Sequence, residues 1–415
     1  MTASDLKIQR VHRRSLGSLV VAQVFSGVGN GSALALGTLM AEETTGNTAL
    51  AGTSTLAYSL AGVLLGIPLA RFAEARGRRT ALSTGLLVAA VGAFLMMMVP
   101  LWGYATLLVG SFLVGVGNAA NLQARFAATD LASEERRGRD LSLVMWSVTV
   151  GAVLGPNLIG IGSKIGLAIG LPSLSGPFIF SLVGLLIGVL ILQVGLRPDP
   201  LLLARQVVDR GRDVGHRNSP PRRDFRTGLR IIMQDRSAIL AMLSVTVGHF
   251  VMVAVMSMTP VYMNGQADSL ELIGLTISLH IAGMYALSPV MGWMSDKLGS
   301  VNTMVIGHLT LVAATLLAGF GLGDATLMVI GLILLGLGWS AAVVAGSALV
   351  SKSMDAEVRP LAQGSLDTAM SLAGVVGAGL SGAIMMLASY LGLNLVSGAL
   401  SAVVVAVLLV RRTRA

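Results

Sequence analysis

GWMSDKLGSV, residues Gly292–Val301, is a short polar segment between two long apolar stretches. It places two glycines, an acid and a base close together, at Gly292, Asp296, Lys297 and Gly299. A second segment of similar character, AEARGRRTAL, occupies Ala73–Leu82. Each segment follows the second apolar stretch of its half of the chain, and a feature that recurs at corresponding positions indicates an internal repeat.

The apolar stretches on either side identify the class of protein. The chain has 415 residues, of which 54% are hydrophobic and 12% charged, with a mean hydropathy of +0.79. These values are typical of a polytopic membrane protein. Because a membrane helix needs roughly 20 apolar residues, the sequence predicts an all-α membrane protein with twelve transmembrane helices in two six-helix halves, at about 16–40, 48–70, 80–100, 104–125, 141–163, 176–196, 237–262, 271–293, 303–322, 326–350, 364–388 and 390–410.

A polar stretch divides the two halves. Residues 197–236 contain ten arginines and a Pro/Asn/Ser cluster at Asn218–Pro221. We therefore expect an N-terminal six-helix bundle over 1–196, a cytoplasmic central linker over 197–236 and a C-terminal six-helix bundle over 237–415.

The positive charge is unevenly placed along the chain. Of the 29 lysines and arginines, only Lys164 falls in a segment assigned to the exterior. This distribution follows the positive-inside rule, so the formal charge of +9 indicates a cytoplasmic membrane with both termini cytoplasmic, and no nucleic-acid partner. The lipid bilayer is the expected partner. An enzyme is not expected, because the sequence has no nucleotide-binding loop and no Ser/His/Asp spacing.

The polar segment Gly292–Gly299 fits the pattern G-x3-D-[RK]-x-G, and so resembles the loop motif of the major facilitator superfamily. The first copy departs from it, since Ala70 and Glu74 stand in place of the glycine and the aspartate, while Gly77, Arg78 and Arg79 fit. The resemblance implies transport by alternating access. It also implies that the acid of the motif pairs with a neighbouring helix end.

A second stretch carries candidate ligands. It is HFVMVAVMSMTPVYMNGQADSLELIGLTISLHIAGMY, His249–Tyr285, and it predicts parts of two helices joined by a turn. Residues four apart share a helix face, and thioether sulfur and imidazole nitrogen suit a soft ion such as Cu(I). Two such pairs are Met252/Met256 on the first helix and His280/Met284 on the second. At 1.5 Å per residue, both pairs fall near the depth at which transporters bind cargo. We expect a metal site of Met252, Met256, His280 and Met284, with His249, Met258 and Tyr285 as further cavity candidates.

M-x3-M on the seventh span with H-x3-M on the eighth is similar to the CcoA-like copper importers, which supply copper for cbb3-type cytochrome oxidase assembly. The match is carried by Met252, Met256, His280 and Met284. The resemblance implies copper uptake into the bacterial cytoplasm. Copper is then the transported substrate; no tightly bound cofactor is expected, and the expected state is a monomer.

Uptake of riboflavin or another small organic molecule, or drug efflux, stays open on the same fold. An organic ring favours aromatic walls, and aromatic residues are 5% of the chain; those in the key helices are Phe250, Tyr262, Tyr285 and Trp293. GAVLGPNLIG, at Gly151–Gly160, resembles the antiporter motif of the superfamily, but Ile159 replaces one glycine of its final pair. In addition, Ser111 stands where the proton-coupled drug exporters usually place an arginine, and the first span lacks the deep acid that often accompanies such coupling. These two departures weaken the efflux alternative.

Overall fold

The computed structural model describes residues 3–132, 136–211, 225–321, 323–355 and 358–412, and this part of the chain is almost entirely helical. A short 3-10 helix covers Thr48–Leu50. The described α-helices, in chain order, are α1 (Ala3–Thr45), α2 (Thr53–Arg76), α3 (Arg78–Met97), α4 (Val99–Trp102), α5 (Tyr104–Ala127), α6 (Arg137–Asn157), α7 (Ile159–Ala168), α8 (Phe178–Gly195), α9 (Pro200–Gly211), α10 (Phe225–Gln234), α11 (Arg236–Gly265), α12 (Leu270–Tyr285), α13 (Ser288–Lys297), α14 (Ser300–Phe320), α15 (Ala325–Ser353) and α16 (Arg359–Arg412).

The described helices account for the predicted number of membrane spans. Ten helical segments are long and apolar enough to cross a bilayer, and the bent pair α6–α7 forms an eleventh. The last of the ten, Leu361–Val410, is 50 residues long, about 75 Å at 1.5 Å per residue against a hydrocarbon core of about 30 Å. Ser389 breaks it with a non-helical φ of 63°. The break lies between the predicted spans 364–388 and 390–410, so dividing this segment at Ser389 gives twelve candidate spans in the described chain.

The bend between α6 and α7 measures 51°. Pro156 lies inside the last turn of α6. Proline lacks a backbone N–H, and its ring clashes with the carbonyl four residues earlier, which bends a helix. The proline therefore gives the predicted fifth span, 141–163, its bent form.

The described chain forms two compact units. Unit 1 comprises Met1–Leu34 and Leu60–Pro220, and unit 2 comprises Ala35–Ser59 and Pro221–Ala415. Residues 35–59 thus belong to unit 2, although they lie within the predicted N-terminal bundle 1–196. The division of the sequence at 197–236 into bundles and linker stays a prediction; α9 and α10 lie within that segment, and residues 212–224 are outside the described chain.

Small residues let the helices of each unit approach closely. In unit 1, a Cβ added at Gly92 on α3 would lie 2.6 Å from the carbonyl oxygen of Gly110 on α5. In unit 2, a Cβ at Gly338 on α15 would lie 2.8 Å from the carbonyl oxygen of Gly307 on α14. Any larger side chain at these positions would separate the backbones, which explains why glycine is used there.

Candidate transport site

His280 is the most informative of the predicted ligands. It lies on α12, is 0% exposed, and its Nδ1 is 2.8 Å from the backbone carbonyl oxygen of Leu332 on α15. A carbonyl oxygen only accepts hydrogen bonds, so Nδ1 carries the proton. Nε2 then bears the lone pair, and it has no hydrogen-bond partner among the described residues. A buried ring nitrogen with a free lone pair is able to bind a metal ion.

Gly336 determines how α15 meets this part of α12. A Cβ at Gly336 would overlap the backbone carbonyl oxygen of His280 and would lie 2.9 Å from the backbone nitrogen of Met284. The absence of a side chain therefore allows α15 to approach the turn between these residues. This close approach places the Leu332 carbonyl, one turn earlier on α15, within reach of the imidazole.

The methionines predicted as ligands are all buried. Met284 is one turn beyond His280 on α12, and Met252, Met256 and Met258 lie on α11. Helices α11 and α12 contact each other, and both pack against α15. The structure thus places the two predicted pairs on neighbouring helices of unit 2. No hydrogen bond among the described residues joins one pair to the other.

His249 has a different environment from His280. The indole Nε1–H of Trp339 donates to Nδ1 of His249 over 2.9 Å, so the proton of this imidazole is on Nε2. A Cβ at Gly374 on α16 would lie 2.9 Å from that Nε2. The Nδ1 lone pair is already engaged, so His249 holds an aromatic neighbour in place and offers no free nitrogen on that side.

Tyr285 and Trp339 form an aromatic pair beside His249. Their rings meet edge to face, with centroids 5.7 Å apart and an interplanar angle of 75°. Tyr285 is 37% exposed, whereas Trp339 is 7% exposed. Trp339 was not among the residues predicted from the sequence, although an aromatic residue between Gly338 and Ser340 in the tenth span was a signal that could have identified it. The pair offers an apolar ring wall with one accessible face.

The other aromatic candidates lie elsewhere in unit 2. Tyr262 stacks on Tyr390 at a centroid distance of 4.4 Å, and the Tyr390 hydroxyl bonds to Thr259 Oγ1 at 2.8 Å. Trp293 is an exposed surface residue. The Tyr262 and Tyr390 rings do not contact the Tyr285–Trp339 pair, and they support helix packing between α11 and α16.

His308 is a second buried histidine with one unused nitrogen. Its Nε2 is 3.2 Å from the Ser244 carbonyl oxygen, so Nε2 is the protonated nitrogen. Nδ1 has no partner among the described residues. Met304 precedes it by one turn on α14 and packs in an apolar cluster. This Met/His pair was not singled out in the sequence, and it makes His308 the natural comparison for His280.

The described residues contain no group of three or more His, Cys, Asp or Glu side chains that could hold a metal ion. A metal bound here would depend on thioether sulfur in addition to imidazole.

The polar segment of the second half carries an exposed ion pair. Asp296 Oδ1, on α13, accepts from Nζ of Lys352, in the last turn of α15, over 3.0 Å. Both side chains are more than half exposed. The adjacent Lys297 ends α13. Gly299 precedes α14 with a φ of 88°, a left-handed conformation that favours glycine.

The first copy of the segment is held more tightly. Arg78 binds Asp130 with two hydrogen bonds, 2.8 Å from Nε and 3.2 Å from Nη2. The backbone N–H of Arg79 donates to the Asp199 carboxylate over 2.7 Å. Gly77 has a φ of 89°, and a Cβ there would lie 2.5 Å from Asp199 Oδ2. The carboxylate at this loop therefore comes from the short connection between α8 and α9.

Glu74 stands at the position of the motif acid in the first copy. Its backbone carbonyl accepts a hydrogen bond from Arg205 of α9 over 2.7 Å. Arg205 and Asp199 both lie in the segment predicted as a linker. Sequence reasoning missed these two partners because each is more than 100 positions from the loop along the chain.

The chain is similar in sequence and in fold to known membrane transporters. A sequence profile of the Major Facilitator Superfamily matches residues 19–270 and 266–415. The chain belongs to the major facilitator superfamily. It is 35% identical over 417 residues to the MFS-type transporter YdeG of Bacillus subtilis, covering 99% of this chain and 95% of that protein. It is 33% identical over 413 residues to the MFS-type transporter YddS of the same species, covering 98% of this chain and 92% of that protein.

A more distant superfamily relative has a named cargo. The riboflavin transporter RfnT of Brucella anthropi is 26% identical over 360 residues, covering 86% of this chain and 85% of that protein. Solved structures support the fold alone. A POT family transporter with a bound peptide conjugate has a TM-score of 0.75 at 13% sequence identity, and the match covers 97% of this chain and 96% of that chain. A bacterial homologue of Spinster has a TM-score of 0.71 at 15% sequence identity, and the match covers 96% of this chain and 95% of that chain. None of these five proteins has copper in its name, so the copper assignment rests on the residues.

Proposed function

We propose that this transporter imports copper into the bacterial cytoplasm by alternating access, with Met252, Met256, His280 and Met284 as ligands. The observation that carries the proposal is the free Nε2 lone pair of His280, buried in unit 2. The Leu332 carbonyl holds the opposite ring nitrogen in its protonated form. Such a second hydrogen bond fixes the tautomer and raises the basicity of a metal-binding histidine.

The donor types determine which ion is favoured. Thioether sulfur is soft and uncharged, and imidazole suits copper, so the set favours Cu(I) over hard cations. Three methionines with one histidine carry no charge when His280 is neutral. The occupied site then keeps the charge of the ion, and the ion loses its hydration shell to the four ligands.

The setting of this proposal follows from the charge pattern. We place the protein in the bacterial cytoplasmic membrane as a multi-pass monomer, with both termini and the 197–236 linker cytoplasmic. The bundles 1–196 and 237–415 are the two halves that alternate. Copper is the cargo, with no tightly bound cofactor and no nucleic-acid partner. The bacterial relatives support a bacterial membrane, and the uneven distribution of lysines and arginines along the chain supports this orientation.

The test measures radiolabelled copper accumulation in cells that lack their own copper importer. Met252→Leu, Met256→Leu and Met284→Leu remove sulfur at nearly constant volume, and His280→Asn keeps a donor for Leu332. We expect initial uptake to fall at least about tenfold in His280→Asn, since even outer-shell partners of metal ligands contribute that much.

Two controls make this result specific. Met263→Leu, at another buried methionine of α11, and His308→Asn should leave copper uptake near that of the unmodified protein at equal protein level. Uptake that survives His280→Asn combined with Met284→Leu would refute the copper proposal. Loss of copper uptake in His308→Asn but not in His280→Asn would indicate that copper binds at α14 instead.

A second candidate function is uptake of a flat organic molecule such as riboflavin. The Tyr285–Trp339 pair, with its accessible tyrosine face, favours it, and the RfnT relative supports it. An aromatic ring stacked on such a pair gains about 0.5–1.5 kcal/mol beyond its burial.

One experiment separates the two cargoes. Uptake of labelled copper and labelled riboflavin is measured side by side in His280→Asn and in Trp339→Leu. Copper uptake lost only in the first variant supports the copper site. Riboflavin uptake that is present, and lost only in the second variant, establishes the organic cargo instead.

A further inference from the structure

A basic pocket lies in unit 1 between the N-terminal parts of α1 and α6. Its volume is about 350 Å³, and it is lined by His12, Arg13, Leu16, Arg136, Arg139, Asp140 and Leu143. Three of the seven lining side chains are guanidinium groups. The volume is in the range of sites that hold small ligands.

The arginines of this pocket are available for a ligand. Arg13, Arg136 and Arg139 are exposed, and none of them is in an ion pair among the described residues. Neighbouring Arg14, by contrast, donates to the Val194 carbonyl oxygen over 2.9 Å. Glu134 and Glu135 are outside the described chain. Guanidinium groups bind phosphate oxygens with two parallel hydrogen bonds.

The acid in the pocket wall is occupied by another partner. Asp140 is 5% exposed, and its Oδ2 lies 2.8 Å from Nε2 of His12. This hydrogen bond joins the start of α6 to α1 and forms a fixed part of the wall. The three arginines outnumber the single described carboxylate, so the pocket favours an anion.

Both helices change from cationic to apolar within one turn. On α6, Arg139 is followed four residues later by Leu143, which is exposed, and then by exposed Trp146. On α1, Leu16 follows His12 by one turn. Exposed leucine and tryptophan beside arginine are typical of the membrane–water interface. In the predicted orientation, with both termini cytoplasmic, we expect the arginines at the level of the lipid headgroups and the leucines toward the acyl chains.

We propose that this pocket binds the phosphate headgroup of an anionic phospholipid of the cytoplasmic leaflet. A lipid satisfies both parts of the wall, because its phosphate meets the arginines while its glycerol and first methylenes contact Leu16 and Leu143. Free phosphate would use only the arginines. Basic pockets between membrane helices on the cytoplasmic side are suited to such headgroups.

The test uses the purified full-length protein in detergent. Binding of dioleoylphosphatidylglycerol, dioleoylphosphatidylcholine and inorganic phosphate is measured by native mass spectrometry and by the shift in unfolding temperature. We expect phosphatidylglycerol to bind and stabilise, and the other two to have little effect. The triple change Arg13→Gln, Arg136→Gln and Arg139→Gln should weaken phosphatidylglycerol binding about 100-fold, since each arginine near the surface contributes roughly fivefold.

Two further variants keep the result interpretable. Replacing the same three arginines by lysine retains the charge, and should keep most of the binding. Changing Arg226, Arg230 and Arg236 to glutamine removes equal charge from exposed positions of unit 2 and should have little effect on this site. Equal weakening in both glutamine triples would show diffuse attraction and overturn the proposal. Equal binding of inorganic phosphate would show a soluble anion site, which also overturns it.

Discussion

Gly77 and Gly299 occupy nearly the same backbone conformation, with φ of 89° before α3 and 88° before α14. They are the final glycines of the two copies of the loop segment. With ψ of 163° at Gly77 and 147° at Gly299, a side chain disfavours this region by about 1–3 kcal/mol, so the conformation favours glycine at both positions. The internal repeat inferred from sequence is therefore present in the backbone itself.

This leads to a prediction at Gly299. Gly299→Ala should destabilise the protein by about 1 kcal/mol through left-handed strain. Gly292→Ala is the matched control, because Gly292 lies within helix α13 with open space around its Cβ position, where alanine is the better helix former. Unfolding temperatures in detergent provide the measurement. A loss of stability in Gly292→Ala as large as in Gly299→Ala would contradict the explanation.

A second residue-scale prediction concerns Gly336, where α15 meets α12. Gly336→Ala should move the Leu332 carbonyl away from His280 and reduce copper uptake, because the added methyl overlaps the α12 backbone. Gly364→Ala on α16 is the control, since no atom lies within 4 Å of its Cβ position. Uptake is measured at equal protein level. Normal uptake in Gly336→Ala would show that the close approach is unimportant for cargo.

At the scale of elements, the two copies of the loop segment differ in how they hold their neighbours. In unit 1, Arg78 and Asp130 have side chains only about one-tenth exposed, 12% and 10%, and make two hydrogen bonds. In unit 2, Asp296 and Lys352 are mostly exposed. Exposed ion pairs contribute about 0–1 kcal/mol, whereas hydrogen bonds to charged groups in shielded sites contribute about 1.5–3 kcal/mol. The degenerate first copy is thus the stronger structural anchor.

The expected result is an asymmetry between two variants. Arg78→Gln should cost about 2 kcal/mol of stability, while Lys352→Gln should cost less than about 1 kcal/mol. Denaturant unfolding of the purified protein measures both, and raised salt should reduce only the second contribution appreciably. Equal costs at low and high salt would mean that burial does not separate the two pairs.

At the scale of the whole molecule, the chain is a twelve-span major facilitator transporter. The neutral ligand set proposed for copper has a consequence for its energetics. A monovalent ion carried with no compensating charge is driven inward by a negative interior potential, by about 2.3 kcal/mol per 100 mV. That energy corresponds to roughly fifty-fold accumulation at equilibrium.

Proteoliposomes test this prediction. Copper uptake is followed with the potential set by a potassium gradient and valinomycin, at constant pH on both sides. We expect accumulation to rise with the inside-negative potential and to disappear when the potential is collapsed. Copper uptake that is independent of the membrane potential but increases with an imposed proton gradient would indicate a proton symporter. Its coupling residue would then lie outside the four proposed ligands.

The amino-acid sequence by itself determined the membrane class, the twelve spans and the repeated loop. These properties depend on local hydrophobicity and on short motifs, and each can be recognised within a window of about 20 residues. The break at Ser389 matches the predicted boundary because two apolar runs of span length must be separated by a turn. The Met/His pairs were visible for the same reason, since residues one turn apart share a helix face.

Only the tertiary structure decided which atoms meet across the helices. His280 owes its tautomer to Leu332, 52 positions away, and His249 owes its opposite tautomer to Trp339, 90 positions away. The Asp199 carboxylate accepts from the backbone N–H of Arg79 from 120 positions away. Such partners depend on how close two helix backbones approach, which Gly336 and similar residues set. No local pattern in the sequence specifies that distance, so the structure was needed to identify which imidazole nitrogen of His280 has no hydrogen-bond partner.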